Sequence, residues 1–147
     1  MTPTPLTEEL FHEYYYKGWN KANEQVLTKL LDPNVEFRGV FRRKPIRGIP
    51  AFMEYMRKAH KALAKNVVEI QEVVVNGNKA ALRLMNRGIH KGDFFGVQAT
   101  GCEVSWSSAA FFTIDANTGL IVKIWVLGDI DGLKNQIGAS QEASVAF

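Results

Sequence analysis

Val67-Val68-Glu69-Ile70-Gln71-Glu72-Val73-Val74-Val75-Asn76-Gly77-Asn78, followed by Lys79 to His90, is the stretch that decides the fold. β-Branched residues dominate its first nine positions and suit a pleated strand. Asn76-Gly77 supplies the backbone conformations that a tight hairpin turn needs. The spacing therefore predicts two antiparallel strands, 67–75 and 79–90. Further along, Gly92, Gly96 and Gly101 mark a loop, 103–114 reads as a third long strand, and Asp115-Ala116-Asn117-Thr118-Gly119 turns the chain into a fourth over 120–127. Residues 130–137 read as a short helix, and those from Ser140 onward as a loose tail.

Before the hairpin the apolar period changes from two to between three and four. Thr7 suits an N-cap with Glu8 and Glu9 in the first turn, and Leu10, Phe11, Tyr14, Tyr15 and Gly18 or Trp19 form one face of a helix ending near Asn20. Asn23 caps a second helix carrying Val26, Leu27, Leu30 and Leu31, which Asp32-Pro33-Asn34 stops. A short strand over 35–41 follows. A third helix begins after Gly48, with Pro50 in its first turn and Ile49, Phe52, Met53, Met56, Ala59 or His60, and Leu63 on its apolar face. Helices first and a meander after predict an α+β fold, with the helices on one face of a curved, mostly antiparallel sheet. The whole chain, 1–147, reads as a single domain with its ordered core over about 6–138 and a loose tail over 139–147.

The composition is that of an ordinary soluble protein, with 46% hydrophobic and 22% charged residues. A net charge of +3 is too mild to argue for nucleic acid, and no apolar run approaches the roughly 20 residues that cross a bilayer. One cysteine, Cys102, excludes an internal disulfide and fits a reducing compartment. Met1 to Pro5 lack the basic and apolar regions of a signal peptide, so the expected location is the cytoplasm. In the third strand Val104, Trp106, Ala110 and Phe112 share one side, while Ala109 and Phe111 share the other. Both faces are apolar. One packs on the helices, and the other is expected to meet a second copy in a homodimer, the alternative being a tail folded over it.

The order of elements resembles the cone-shaped nuclear transport factor 2-like fold, in which helices pack on the concave face of the sheet. The motifs Gly88-x-His90-x-Gly92, Gly96-x-x-x-Thr100-Gly101 and Gly119-x-Ile121, with Trp125, Asp129 and Gly132-Leu133-x-x-Gln136-Ile137-Gly138, resemble the SnoaL-like polyketide cyclase, or ester cyclase, branch. The resemblance implies an intramolecular aldol closure of a polyketide ring without metal or organic cofactor, using an Asp on the last strand as acid and base. Two positions depart from the family pattern. The acid's position falls here on Val126, with Lys123 and Trp125 nearby, and the Pro-Pro-Thr-Gly turn is replaced by Gln98-Ala99-Thr100-Gly101.

Asp129 follows four uncharged strand residues, so it is expected at the rim of an apolar cavity, where burial raises a carboxyl towards useful acidity. The alternative role is the N-cap of the last helix. His90 shares strand parity with Leu82, Leu84, Asn86 and Gly88, which would bring a proton carrier and a fixed amide to the concave face; the alternative is a strand-end His bonded to a loop. Arg38 stands in an apolar run as a candidate for holding a carboxylate or enolate oxygen, or is an exposed edge residue; Arg42, Arg43, Lys44 and Arg47 read as a solvated basic loop. Trp106, Trp125, Tyr15, Phe37, Met53 and Phe94 are candidate pocket walls or plain core, and Phe94-Phe95 between glycines reads as a lid. His12, His60 and His90 lack ligand spacing, so no metal site is expected.

Two functions fit these residues. One is cofactor-independent acid–base chemistry on a small hydrophobic carbonyl compound, with Asp129, His90 and Asn86 catalytic. The other is a non-catalytic small-ligand carrier or dimeric scaffold.

Overall fold

Residues 8–145 and Phe147 are described by the computed structural model. Thr7, read above as a helix cap, lies outside them. In chain order they form α1 (Glu8–His12), continued by a π-helical segment (Glu13–Trp19), α2 (Glu24–Leu30), β1 (Leu31–Arg38), β2 (Ile46–Arg47) and α3 (Ile49–Ala62). There follow β3 (Leu63–Asn76), β4 (Lys79–His90), β5 (Glu103–Ile114), β6 (Ile121–Gly128) and α4 (Ile130–Ile137). The strands make one curved, open sheet in the order β2-β1-β6-β5-β4-β3, antiparallel throughout except that β1 runs parallel to β6. This is the expected α+β arrangement. Among the described residues no helix is long and apolar enough to cross a membrane.

Local differences from the sequence reading have physical causes. Asp32-Pro33-Asn34 lies inside β1; the pairing of β1 with β6 shifts register between Leu31 and Glu36, so Pro33 falls where the ladder is broken and its missing N–H costs nothing. The basic loop contains a two-residue strand, Ile46–Arg47, paired with Phe37 and Glu36. β3 begins at Leu63 instead of 67. The residues beyond α4, expected to be loose, are anchored: Ala139, Ala143, Val145 and Phe147 pack on the apolar cluster that includes Leu133 and Ile137.

Two irregularities point side chains inward. The first is a β-bulge between Ala64 and Val67 opposite Ile89 and Arg87, with Lys65 at φ 51°. An extra residue reverses which side chains face the core. Leu63 faces in before the bulge, and Asn66 and Val68 face in after it, while Lys65 and Val67 are exposed. The second is the π-helical segment, where the N–H of Asn20 donates to Tyr15 O at 2.8 Å and that of Asn23 to Gly18 O at 2.9 Å. The wider turn buries two adjacent pairs, Tyr14 with Tyr15 and Gly18 with Trp19.

This segment also closes the sheet's edge. β3 is the edge strand, whose free backbone groups would otherwise invite pairing. The Asn20 amide donates to Val68 O at 2.9 Å and accepts from Val68 N–H at 2.8 Å. Tyr16 Oη accepts from Ile70 N–H at 2.8 Å. From α3, His60 Nε2 reaches Trp19 O at 2.8 Å, tying α3 to the end of the π-helical turn. Burial lowers the His60 pKa from the ordinary 6.5, with the Trp19 bond opposing that shift. The folded protein therefore favours neutral His60, and the unfolded chain takes up the proton first as the pH falls. Stability against urea should be full above pH 6.5 and decline as the pH drops through the lowered folded value. His60→Gln keeps a donor for Trp19 O and should flatten that slope; an unchanged slope would assign the decline to other groups.

Candidate functional site

A narrow cavity lies between the π-helical segment, α3 and the inward faces of β3 to β6. Tyr14, Tyr15 and Trp19 form its helical wall, Phe37, Val40, Phe41 and Tyr55 one side, and Asn66, Val68 and Leu84 the other. Asn86, Trp106, Ser108 and Val126 form its sheet floor. Its volume is about 40 Å³, space for only a few water molecules, whereas sites for drug-sized ligands span on the order of 300–1,000 Å³. A ligand must push a wall outward to enter.

Strand register explains the floor. Asn86 pairs with Trp106 and Leu84 with Ser108 across β4 and β5, and Ser108 pairs with Gly128 of β6. Asn86 Nδ2 donates to Ser108 Oγ at 2.8 Å and to Trp106 O at 3.2 Å, which fixes the amide plane. The Tyr55 wall depends on a glycine. A Cβ at Gly39 would stand 2.3 Å from the Tyr55 ring, so only glycine lets that ring cross the end of β1 and accept the Phe41 N–H at 3.0 Å.

Among the described residues the lining holds no carboxylate, imidazole, amine or guanidinium. Its titratable groups are three phenols. Burial pushes Tyr14 well up, with Tyr15 and Tyr55 adding to the shift; burial likewise raises Tyr15, and raises Tyr55 against the lowering effects of its Phe41 bond and of Arg38 and Arg42. All three stay protonated near neutral pH and act as hydroxyls. The buried indole N–H groups of Trp19 and Trp106 have no partner among the described residues. A donor so buried costs about 1–3 kcal/mol when left unsatisfied, so these two favour an acceptor atom placed against them.

Of the candidate site residues named from the sequence, Asn86, Trp106, Tyr15 and Phe37 line the cavity together, beside Val126, and the other candidates lie elsewhere. Asp129 is exposed; its Oδ1 accepts the Gly132 N–H at 3.0 Å as the N-cap of α4. His90 does face inward, as parity required, but at the far end of β4. There it is fully buried beside Phe94, accepting the Thr100 N–H on Nδ1 at 3.2 Å and thereby anchoring the glycine loop. Trp125 and Arg38 occupy the outward face, where the guanidinium lies 5.2 Å above the indole and donates to Val126 O. Met53 is core on α3. Phe94 and Phe95 are buried in the second apolar cluster, so the expected lid is a packed wall.

The lining residues that the sequence reading missed include Tyr14, Trp19, Phe41, Tyr55, Asn66 and Ser108. Ser108 carried a signal, since it shares the strand parity of Trp106. Asn66 carried none, because the bulge alone turns it inward. Among the described residues no three His, Cys, Asp or Glu side chains gather as a metal site.

The cap assignment has a measurable consequence. Asp129→Ala should lower stability in urea by about 1 kcal/mol, and Asp129→Asn by much less because Asn also caps. Loss of ligand binding in Asp129→Asn with stability intact would instead return this carboxyl to the cavity.

Comparison with known proteins agrees with this architecture. A search of curated proteins finds no match. A SnoaL-like protein of known structure from Jannaschia sp. CCS1 is similar with a TM-score of 0.80 at 18% identity, over 90% of this chain and 91% of that one. TsrD from Streptomyces laurentii gives 0.78 at 24% identity, over 90% and 95%. AclR from Streptomyces galilaeus gives 0.76 at 22% identity, over 89% and 94%. At such identities the likeness establishes the fold alone. The family model for SnoaL-like polyketide cyclase matches residues 9–137, and so the chain belongs to the SnoaL-like polyketide cyclase family.

Proposed function

We propose that this chain holds a small, neutral, ring-bearing carbonyl compound in the cavity and does so without a carboxyl, imidazole, amine or guanidinium group. One observation carries this reading: the described lining holds no charged side chain, and the position that the family resemblance gives to the catalytic acid carries the apolar Val126, which lines the space. A carboxylate ligand would be buried there with no cation to offset its desolvation. A neutral ligand presents aromatic area to Phe37, Phe41 and Tyr55, and acceptor oxygens to the two unpartnered indole N–H groups.

Family membership favours a second reading, a cyclase. In it the indoles and phenols steady a developing enolate oxygen while water carries the proton. Two isosteric probes and one isotope experiment separate the readings. Quenching of tryptophan fluorescence should report binding of 2-acetonaphthone, whereas naphthalene-2-carboxylate should bind at least about tenfold more weakly. In D₂O, acetyl protons of bound 2-acetonaphthone should exchange no faster than in buffer. Exchange accelerated by the protein would overturn the carrier reading in favour of catalysis. Equal affinity for the two probes would sink the neutral-cavity argument itself.

The outward face supports a homodimer through the sheet. Val74, Ala81, Phe111, Trp125 and Arg38 stand in register across five strands, and Phe111 and Leu127 are 49% and 54% exposed. Some charges beside this row pair within the chain, Arg83 with Glu72, Arg87 with Glu69, and Lys123 with Glu36, and the Arg38 guanidinium lies over the Trp125 ring. Sedimentation should give a dimer at micromolar concentration and a monomer for Phe111→Asp. A monomeric parent chain would remove this assembly from the proposal.

A further inference from the structure

Phe147 lies far from the cavity in sequence yet rests on two of its walls. Its ring is 5.6 Å from Phe41 and 5.6 Å from Tyr55, edge-on to both, and 6.1 Å from Phe94, nearly parallel to it. Phe41 and Tyr55 are themselves stacked at 6.0 Å, and both line the cavity. Three aromatic side chains from separate segments thus surround one ring.

The segment that carries Phe147 is fastened at its start and held by packing at its end. Lys134 Nζ donates to Gln141 O at 3.0 Å, and Gln141 Nε2 donates to Asn135 Oδ1 at 2.7 Å. Past Ala143, whose N–H donates to Ser140 O, no hydrogen bond holds the tail among the described residues. Apolar contacts of Val145 and Phe147 remain. A phenyl group on a short tether, held by apolar contacts, can leave without breaking any hydrogen bond among the described residues. Its departure would free the outer side of the Phe41 and Tyr55 wall, at a cavity that is now too small for a ring.

We propose that Phe41, Tyr55 and Phe94 form a ring-binding subsite continuous with the cavity, and that Phe147 fills it when no ligand is present. The ligand class is a planar aromatic ring, recognised by edge-on and stacked contacts with the same geometry that holds Phe147. This inference rests on the cavity being the ligand site. Filling by the tail lowers apparent affinity in proportion to the fraction of molecules in which the subsite is free.

The test uses the full chain and 2-acetonaphthone. Phe147→Ala should bind the probe about tenfold more tightly than the parent chain, because the competing ring is gone. Phe147→Leu, which keeps apolar packing but not ring stacking, should fall between them. In the parent chain, saturating probe should raise amide hydrogen exchange over residues 139–147, and this readout does not depend on any variant folding. Binding by the parent chain with tail exchange unchanged or slowed overturns the inference and leaves the cavity reading standing, as does unchanged or weaker affinity in a folded Phe147→Ala. Failure of both parent and variant to bind the probe overturns the cavity reading, and this inference with it.

Discussion

The pairing of β4 with β5 runs without a register shift from Lys79 opposite Thr113 to Ile89 opposite Glu103, and the remaining structure is arranged around it. A strand has a period of two, so a slip of one residue would turn either Leu82, Leu84 and Asn86 of β4 or Trp106 and Ser108 of β5 outward. That would expose the core and dissolve the cavity floor at once. At one end Asn78, in the turn before β4, is tied to the end of β5: the Ile114 N–H donates to Asn78 O at 2.8 Å and Asn78 Nδ2 donates to Ile114 O at 2.9 Å. From the other end, Gly101 N–H donates to His90 O at 2.8 Å and His90 N–H to Cys102 O at 2.9 Å. His90 therefore works at the strand terminus, where its ring and its backbone close the loop between the two strands.

Around this regular centre, the interruptions do the positioning. The bulge at Lys65 and Asn66 and the π-helical turn over 13–19 both contribute to the cavity wall, and each presents side chains that an unbroken strand or α-helix would have turned away. Gly39 adds a third local exception by clearing space for Tyr55. Together they assemble a polar but uncharged interior. The raised phenols remain hydroxyls, the Asn86 amide is fixed by Ser108 and Trp106 O, and the indoles bring donors without a partner among the described residues. Such a field stabilises negative charge developing on a ligand oxygen but supplies no base to create it. The family's scaffold is retained here, and Val126 of its last strand lines the cavity.

The two sheet faces differ in how they were read. On the inward face, the alternation of Val104, Trp106, Ala110 and Phe112 was legible and holds in the structure. On the outward face, apolar Ala109 and Phe111 were legible too, but residue type left Arg38 open between pocket and exposed edge, and Trp125 between pocket wall and core. Parity puts both outside, beside Phe111. Asp129 shows a similar limit. Its place at the junction of β6 and α4 was readable, whereas its role follows from backbone direction, which presents it to Gly132 N–H in solvent.

The amino-acid sequence by itself determined the element types, the antiparallel strands, the hairpin turn, the last helix and the family, because hydrophobic period, turn residues and helix caps act over a few neighbouring positions. Only the tertiary structure decided which residues share the cavity. Asn66 enters through a bulge, Trp19 through a π-helical turn, Tyr55 past a glycine, and Phe147 by a tail folding back on Phe41. Each of these depends on distant segments fitting one volume, and close packing of that kind leaves no periodic trace in the chain.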